Sequence, residues 1–462
     1  MGFFTAFSLI AFGSLLVSSS QGQTPTVSLP STQAGKHTEA YLKAFNATGE
    51  AAMRSFFESH TAKGSLSELP VEQRLSRFRQ MKQRLESLRL SKVLNASEES
   101  ISVVAGAGSG SLVQLDFQFE PKPPHGLLGI RVEDLGDEGE VQAAGARKSS
   151  DTELVKAISK YLDSLSSADE FSGVVLVARK GEPFFQQAYG YADRERKIRN
   201  EVDTKFNLGS INKRFTKTAI HLLAAQGKLS LTDPIKKFLP DYPNKEAAGK
   251  VTIEHLLEMR SGIGDFFGER YQSTPKERIR SIADYLPLFA DKPLEFEPGT
   301  NRRYSNGGYV VLGAIIEKAS GTDYYTFVRE NIFIPAGMGN TDSFEKDKNV
   351  PNRALGYTRG DGRGKGSWGS NYGTLPAKGS SAGGGYSTAQ DLLKFVVALE
   401  QRTIPAPDTE QGLGIAGGAP GMNSALEWDP QPGYVVVVLS NFDPPSAEKV
   451  ARQIRAWLPR SS

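Results

Sequence analysis

The chain of 462 residues contains no cysteine. Disulfide staples, thiol nucleophiles and cysteine metal sites are excluded, and cysteine usage says nothing of the redox compartment. Histidine is almost as scarce. The five are His37, His60, His125, His221 and His255, with no pair at metal-ligand spacing. A charge excess is missing too. The 55 basic and 52 acidic residues leave a net +3, which gives no case for nucleic acid or another strongly charged partner. After the first residues no apolar run is long enough to cross a bilayer.

What is present begins with an apolar stretch, Met1 to Val17, followed by Ser18, Ser19, Ser20, Gln21 and Gly22. Residues 1–22 resemble a secretory signal peptide, although no Lys or Arg precedes the apolar run. The mature chain is therefore expected to be secreted or periplasmic, without a transmembrane segment. Residues 23–36 are polar and Pro-containing and read as a disordered leader.

Residues 37–135 read as a small α+β domain. Helices are expected over His37 to Phe45, Ala51 to His60 and Val71 to Leu90, and strands over Ser100 to Ala105 and Leu112 to Phe119. The layout looks like a nuclear-transport-factor-like cone, with no catalytic set in it. The third helix carries Arg74, Arg77, Arg79, Lys82, Arg84 and Arg89 off its apolar stripe. A solvated face is the better reading than an anion-binding one. Residues 106–110, Gly-Ala-Gly-Ser-Gly, lack a following Gly-Lys-Ser/Thr and read as a hairpin turn rather than a phosphate loop.

Residues 136–150 read as a linker, and a larger unit spans 151–462. An amphipathic helix over Thr152 to Leu165 leads into a hairpin, Ser172 to Lys180 and Pro183 to Tyr189, turning at Lys180-Gly181-Glu182. Helices are expected at Thr252 to Met259, Tyr309 to Ala319, Ala389 to Leu399 and Ala447 to Leu458. Strands are expected at Ala425 to Trp428 and Tyr434 to Asn441. Strands at both ends with helices between them imply a sheet built from distant segments. Gly360 to Gly366 reads as a flexible loop.

The chemistry centres on residues 206–226. Gly209 and Ser210 end a loop, and Ile211, Phe215, Ala219 and Leu222 then recur at helical spacing until Gly227. Ser210 sits at a helix N-terminus, where free N–H groups favour developing negative charge. Lys213 lies three residues on, on the same face. A hydroxyl beside an amine is the arrangement of an activated serine nucleophile. Ser-x-x-Lys alone is weak evidence, since Ser273/Lys276, Ser343/Lys346 and Ser446/Lys449 share it. Only Ser210 has a Gly-containing loop before it and a long apolar helix behind it. Tyr304-Ser-Asn306 supplies a phenol and an amide. A nearby lysine ammonium is expected to lower the phenol's pKa. Tyr242-Pro-Asn244 has the same spacing, but in a Pro-rich turn it reads as a surface aromatic.

Four stretches together carry a resemblance: Phe206-Asn-Leu-Gly-Ser-Ile-Asn-Lys213, Phe296-Glu-Pro-Gly-Thr300, Tyr304-Ser-Asn-Gly-Gly-Tyr309 and Gly383-Gly-Gly-Tyr-Ser-Thr388. Over about residues 151–458 the chain resembles the serine β-lactamase-related hydrolases, which include class C β-lactamases, DD-peptidases and esterases. The resemblance implies an α+β, β-lactamase/transpeptidase-like fold: an antiparallel sheet packed with helices, plus a helical region. It implies Ser210 as the acylated nucleophile, Lys213 and Tyr304 as partners in proton transfer, and Asn306 as a substrate contact. No metal or organic cofactor is implied, and the substrate would be a small ester, amide or peptide. The chain departs from the family where Lys-Thr-Gly or His-x-Gly is usual. Gly414-Ile-Ala-Gly-Gly-Ala-Pro-Gly421 puts Ile415 at the cationic or imidazole position and Ala416 at the hydroxyl. Gly417 and Gly418 remain, and the N–H of Gly418 with that of Ser210 would form the oxyanion hole. The change weakens the case for β-lactam or D-Ala-D-Ala specificity and leaves ester hydrolysis easier to defend.

Two other readings compete. Gly379-Ser-Ser-Ala-Gly383 matches a nucleophile elbow, but no histidine follows Ser381, so the order required of an α/β-hydrolase fails. A non-catalytic binding or sensor module that kept the pocket is the alternative that the altered third motif suggests.

Overall fold

The computed structural model describes residues 27–137, 150–359, 366–406 and 412–459. The expected signal peptide, most of the linker and nearly all of the 360–366 loop lie outside the described residues. The chain divides into two compact units, Met1–Glu138 and Gly139–Ser462.

In the first unit, helices α1 (Gln33–Asn46), α2 (Ala51–His60), α3 (Lys63–Glu68) and α4 (Val71–Leu85) precede a four-stranded antiparallel sheet. Its strands are β1 (Leu88–Ala96), β2 (Ser100–Ala107), β3 (Ser111–Phe119) and β4 (Leu127–Asp137), paired in that order. Three expectations are corrected. The leader is not irregular to residue 36: Thr32 Oγ1 accepts from Gly35 N at 3.1 Å and starts α1 at Gln33. Ala34 is then fully buried, so the first turn of α1 is held by packing as well as by its cap. The third helix ends at Leu85 rather than Leu90, because Glu86 takes φ 61° and turns the chain into β1. Strands β1 and β4 were not anticipated. The core is built of rings: Tyr41 packs edge-on to Phe56 and Phe117 at 5.4 and 5.2 Å, and Phe45 to Phe78 at 5.5 Å. The basic residues of α4 are largely committed. Arg74 is buried and donates to Ser65 O at 2.8 Å, Arg79 pairs with Glu50 at 2.7 Å, and Lys82 donates to Phe45 O at 2.9 Å.

The second unit is organised on a five-stranded antiparallel sheet. Its residues begin with α5 (Asp151–Ser167), β5 (Gly173–Arg179) and β6 (Glu182–Tyr189). They continue through α6 (Asn212–Ala225), α7 (Asn306–Ser320) and α8 (Ala389–Glu400). They finish with β7 (Leu413–Ala419), β8 (Met422–Asp429), β9 (Tyr434–Ser440) and α9 (Ser446–Trp457). The strand order is β7-β8-β9-β5-β6, so the two ends of the unit meet at the β9–β5 pair. The β5–β6 turn places Lys180 at φ 52° and Gly181 at φ 82°, the double left-handed geometry of a tight hairpin.

Strand β9, Tyr-Val-Val-Val-Val-Leu-Ser, is buried at every position. A continuous apolar strand of this kind needs cover on both faces. Val436 and Val438 join Val175 and Val177 under Leu154, Ile158 and Leu162 of α5 and Val450, Ala451 and Ile454 of α9. Val435, Val437 and Leu439 point the other way, with Val174 and Leu176, into the larger core that contains α6, α7 and α8. There Phe215 of α6 packs edge-on to Phe333 and Phe395 at 4.9 and 5.0 Å. Burying each such side chain stabilises the fold by about 1.5–3 kcal/mol. These contacts fix α6, and with it the residues at its N-terminal end. Among the described residues no helix is long and apolar enough to cross a membrane.

Candidate active site

Ser210 lies in a single 3₁₀ turn, Gly209–Ile211, that feeds directly into α6. Gly209 adopts φ 49°, and a Cβ there would stand 2.9 Å from Gly418 N. A Cβ on Gly417 would stand 2.6 Å from Ser210 N and overlap Leu208 O. The edge strand β7 thus runs backbone-to-backbone against the serine turn, a closeness only glycine permits. Ser424 of β8 reinforces the junction, its hydroxyl donating to Leu208 O at 2.7 Å.

Lys213 is the second residue of α6, three residues after Ser210, and is 6% exposed. Its Nζ lies 3.2 Å from Ser210 Oγ, 2.7 Å from Asn306 Oδ1 and 2.5 Å from Ala382 O. The Tyr304 hydroxyl lies 2.5 Å from Ser210 Oγ, and Nζ sits 4.8 Å from the centre of the Tyr304 ring. Within the Tyr-Ser-Asn stretch only Tyr304 precedes the helix cap. Ser305 is the N-cap of α7, its Oγ accepting from Gly308 N at 2.8 Å, and Asn306 opens the helix. Ser305 Oγ also donates to Gly264 O at 3.0 Å. This helix start places Tyr304 and Asn306 on either side of Lys213.

The electrostatics reverse one expectation. Burial pushes the Lys213 ammonium down to about 7, against the opposing pull of the Asp265 carboxylate. An amine that is about half neutral near pH 7 is a weaker positive neighbour for Tyr304 than a full ammonium. Burial raises the Tyr304 phenol above its ordinary value; the hydrogen bond from Ser210 opposes this and the Asp265 charge adds to it. The buried amine, rather than the phenol, is the group tuned to accept a proton near neutrality.

Two members of the cluster carry no sequence motif. Asp265 Oδ2 accepts from Asn306 Nδ2 at 2.6 Å, and Asp265 Oδ1 accepts from Phe267 N at 3.0 Å. Ala382 O belongs to the Gly379–Gly383 loop, where Ser381 is fully buried and donates to Tyr309 O at 2.7 Å. That loop therefore serves the lysine through its backbone. The other Ser-x-x-Lys pairs are used structurally. Ser273 Oγ donates to Glu269 O at 3.0 Å, Lys346 to Leu375 O at 2.9 Å, and Ser446 Oγ to Ser440 Oγ at 3.0 Å. Tyr242 is not a surface aromatic; it is 4% exposed in the core, and Asn244 caps the helix that follows.

Ile415 packs against the large core, while Ala416, its neighbour on β7, is exposed. In the register Ile415↔Leu426 and Ala416↔Ala425, neither position brings a cation or hydroxyl to the strand lining the serine turn. Among the described residues no group of His, Cys, Asp and Glu is placed to hold a metal ion.

Known proteins resemble the second unit. A family model described as Beta-lactamase matches residues 155–414. Penicillin-binding protein 4* of Bacillus subtilis (strain 168) is 33% identical over 207 residues, 44% of this chain and 45% of that protein. The chain thus spans about half the length of that relative. Among solved structures, a penicillin binding protein from Bacillus halodurans superposes with a TM-score of 0.58 at 30% identity, covering 64% of this chain and 100% of that one. The D-amino acid amidase from Ochrobactrum anthropi SV3 does so with a TM-score of 0.56 at 26% identity, covering 66% and 98%. With more than half of its residues matched by that family model, and a sheet and helices shared with these enzymes and binding proteins, the chain belongs to the beta-lactamase family.

Proposed function

We propose that this chain is a serine acyl hydrolase that cleaves an ester or amide through an acyl-enzyme on Ser210. The observation that carries the reading is Ser210 Oγ, held between a buried Lys213 amine at 3.2 Å and the Tyr304 hydroxyl at 2.5 Å. In the first step Ser210 Oγ bonds to the substrate carbonyl carbon while its proton passes to Lys213 Nζ. The carbonyl π electrons move to oxygen, and the N–H groups of Ser210 and Gly418 receive that charge. Such donors are worth about 3 kcal/mol each in general. Collapse breaks the bond to the leaving alcohol or amine. Tyr304 protonates it and is resupplied by the Lys213 ammonium. Water then adds to the acyl carbon, gives its proton to the same pair, and releases the acid with Ser210 restored.

Substrate preference follows from β7. With Ile415 where a cation is usual, a substrate carboxylate gains no partner there. Neutral acyl groups, and esters before carboxylate-bearing peptides, suit the site best. The altered strand also favours the competing reading of a binding module without turnover. A panel of chromogenic esters separates the two. Turnover that disappears in Ser210→Ala, by on the order of 10⁴-fold or more, is expected. Equal background rates in both proteins would sink the enzyme reading. Export is proposed on the apolar stretch Met1 to Val17 and the small residues after it.

A further inference from the structure

Asn306 stands between two groups that constrain it differently. A carboxylate accepts hydrogen bonds and has none to give. The Asn306 amide atom 2.6 Å from Asp265 Oδ2 is therefore its Nδ2, and Oδ1 faces Lys213 Nζ at 2.7 Å. The other short contact of Nζ, at 2.5 Å, is to the backbone carbonyl of Ala382, again an acceptor only. A neutral lysine has two N–H bonds and one lone pair. If both N–H bonds are taken by Asn306 Oδ1 and Ala382 O, the lone pair is left for the third neighbour, Ser210 Oγ at 3.2 Å.

We propose that Asp265 is a positioning residue for the base: by holding Asn306 Nδ2 it fixes the amide with its oxygen toward Lys213, which aims the amine lone pair at Ser210. This rests on the reading of Lys213 as the acylation base. It also changes the role expected of Asn306. Its amide N–H₂ has one donor engaged by Asp265, so its first duty is to the lysine and substrate contact is secondary. The groups facing Lys213 are Ser210 from the 3₁₀ turn, Tyr304 before α7, Asn306 and Tyr309 from α7, Ala382 O from the 379–383 loop, and the Asp265 charge. Arg214 and Arg302 act on Tyr309 from farther out. Of these, Asp265 is the group that raises the lysine's proton affinity against burial.

The test uses the full-length protein and the pH profile of kcat/KM for a chromogenic ester, with Ser210→Ala as the blank. Asp265→Asn keeps the shape but removes the charge and lets the Asn306 amide flip. The plateau is expected to fall by 10-fold or more and the acid limb to move to lower pH. Asp265→Glu keeps the charge and displaces it by one methylene. Its acid limb is expected to stay where the wild type has it while the plateau drops. A lowered plateau with an unmoved acid limb in Asp265→Asn would mean that Asp265 only supports the Phe267 loop, and would overturn the proposal. If Asp265→Asn does not fold, an unchanged plateau in Asp265→Glu overturns it equally. Absence of any Ser210-dependent turnover in the wild type is a different failure, that of the hydrolase reading itself.

Discussion

The two units of this chain solve the problem of a core in opposite ways. The first fills its interior with rings. Tyr41, Phe45, Phe117 and Phe119 are each at most 2% exposed. The second has the larger apolar core, yet beside it are buried Asn212, Lys213, Thr216 and Ser381, none more than 6% exposed. Buried polar groups survive only when partnered, and these are. Asn212 Nδ2 donates to Ser380 O at 2.9 Å, Thr216 Oγ1 to Ser381 O at 2.7 Å, and Ser381 Oγ to Tyr309 O at 2.7 Å. The first unit's buried polar groups serve its own backbone: Thr38 Oγ1 donates to Ala34 O at 2.8 Å and Arg74 to Ser65 O at 2.8 Å. A satisfied polar interior holds one amine in a fixed place and lowers its proton affinity. The contrast is a ground, independent of any motif, for proposing the chemistry in the second unit.

Three substitutions sharpen that contrast, the largest effect first. Lys213→Met removes the amine while keeping the bulk. Ester turnover is expected to fall on the order of 10²–10⁴-fold. The wild-type acid limb should vanish with it. The sign is set by the form that reacts. In the proposed mechanism the neutral amine accepts the Ser210 proton, so kcat/KM should climb as pH rises through about 7 and level off above it. Two pH units below that point roughly 1% of the amine is neutral. A profile that instead falls as pH rises through 7 would contradict the assignment.

Gly417→Ala tests the backbone junction between β7 and the serine turn. The added methyl would sit 2.6 Å from Ser210 N. The strand must retreat, and a misplacement near 1 Å costs about 10²-fold in rate. Turnover should drop while the far-ultraviolet circular dichroism stays native. Full activity would mean that β7 does not contribute to the site. Phe45→Ala, in the first unit, should cost about 3–5 kcal/mol of that unit's stability. At a temperature where the variant remains folded, ester turnover should be unchanged. A large loss of turnover there would break the separation of roles.

Much of the site was legible because side chains advertise it. Ser210, Lys213, Tyr304 and Asn306 carry their chemistry in their identities, and Ser210 and Lys213 are spaced by about one helical turn. Gly417 and Gly418 were named through the resemblance; the structure adds the physical reason at 209 and 417, where a Cβ would meet facing backbone. Ala382 was not legible. It acts through a carbonyl that all residues possess, inside a Gly-Ser-Ser-Ala-Gly stretch whose match to a nucleophile elbow fails. Asp265 was missed because its value lies in a contact across 41 residues of chain. The direction of the Tyr304 shift was read wrongly from sequence. An ammonium neighbour was assumed, whereas burial favours the neutral amine, and burial is a property of the assembled core.

In the fold, the long valine-rich strand and its hairpin partner were plain from composition and from Lys180-Gly181. Strand β4 was hidden by its sequence, Leu-Leu-Gly-Ile-Arg-Val-Glu-Asp-Leu-Gly-Asp, whose charges and glycines interrupt the apolar alternation and whose last two residues were read as linker. Strand β1 was mistaken for the end of α4 because Leu85 and Leu88 continue a helical spacing of three. The left-handed turn at Glu86 that separates them is unusual for a non-glycine residue and has no sequence marker.

The central claim is that Ser210 is a nucleophile activated by its neighbours, and intact-mass spectrometry tests it most directly. The purified protein would be incubated with a fluorophosphonate and, separately, with a penicillin, and any adduct mapped by peptide sequencing. One fluorophosphonate adduct on Ser210, lost in Lys213→Met, is the result this account predicts; a penicillin adduct at the same residue would extend the substrate range to lactams despite Ile415. No adduct with either reagent, or labelling that falls on another serine, would contradict it.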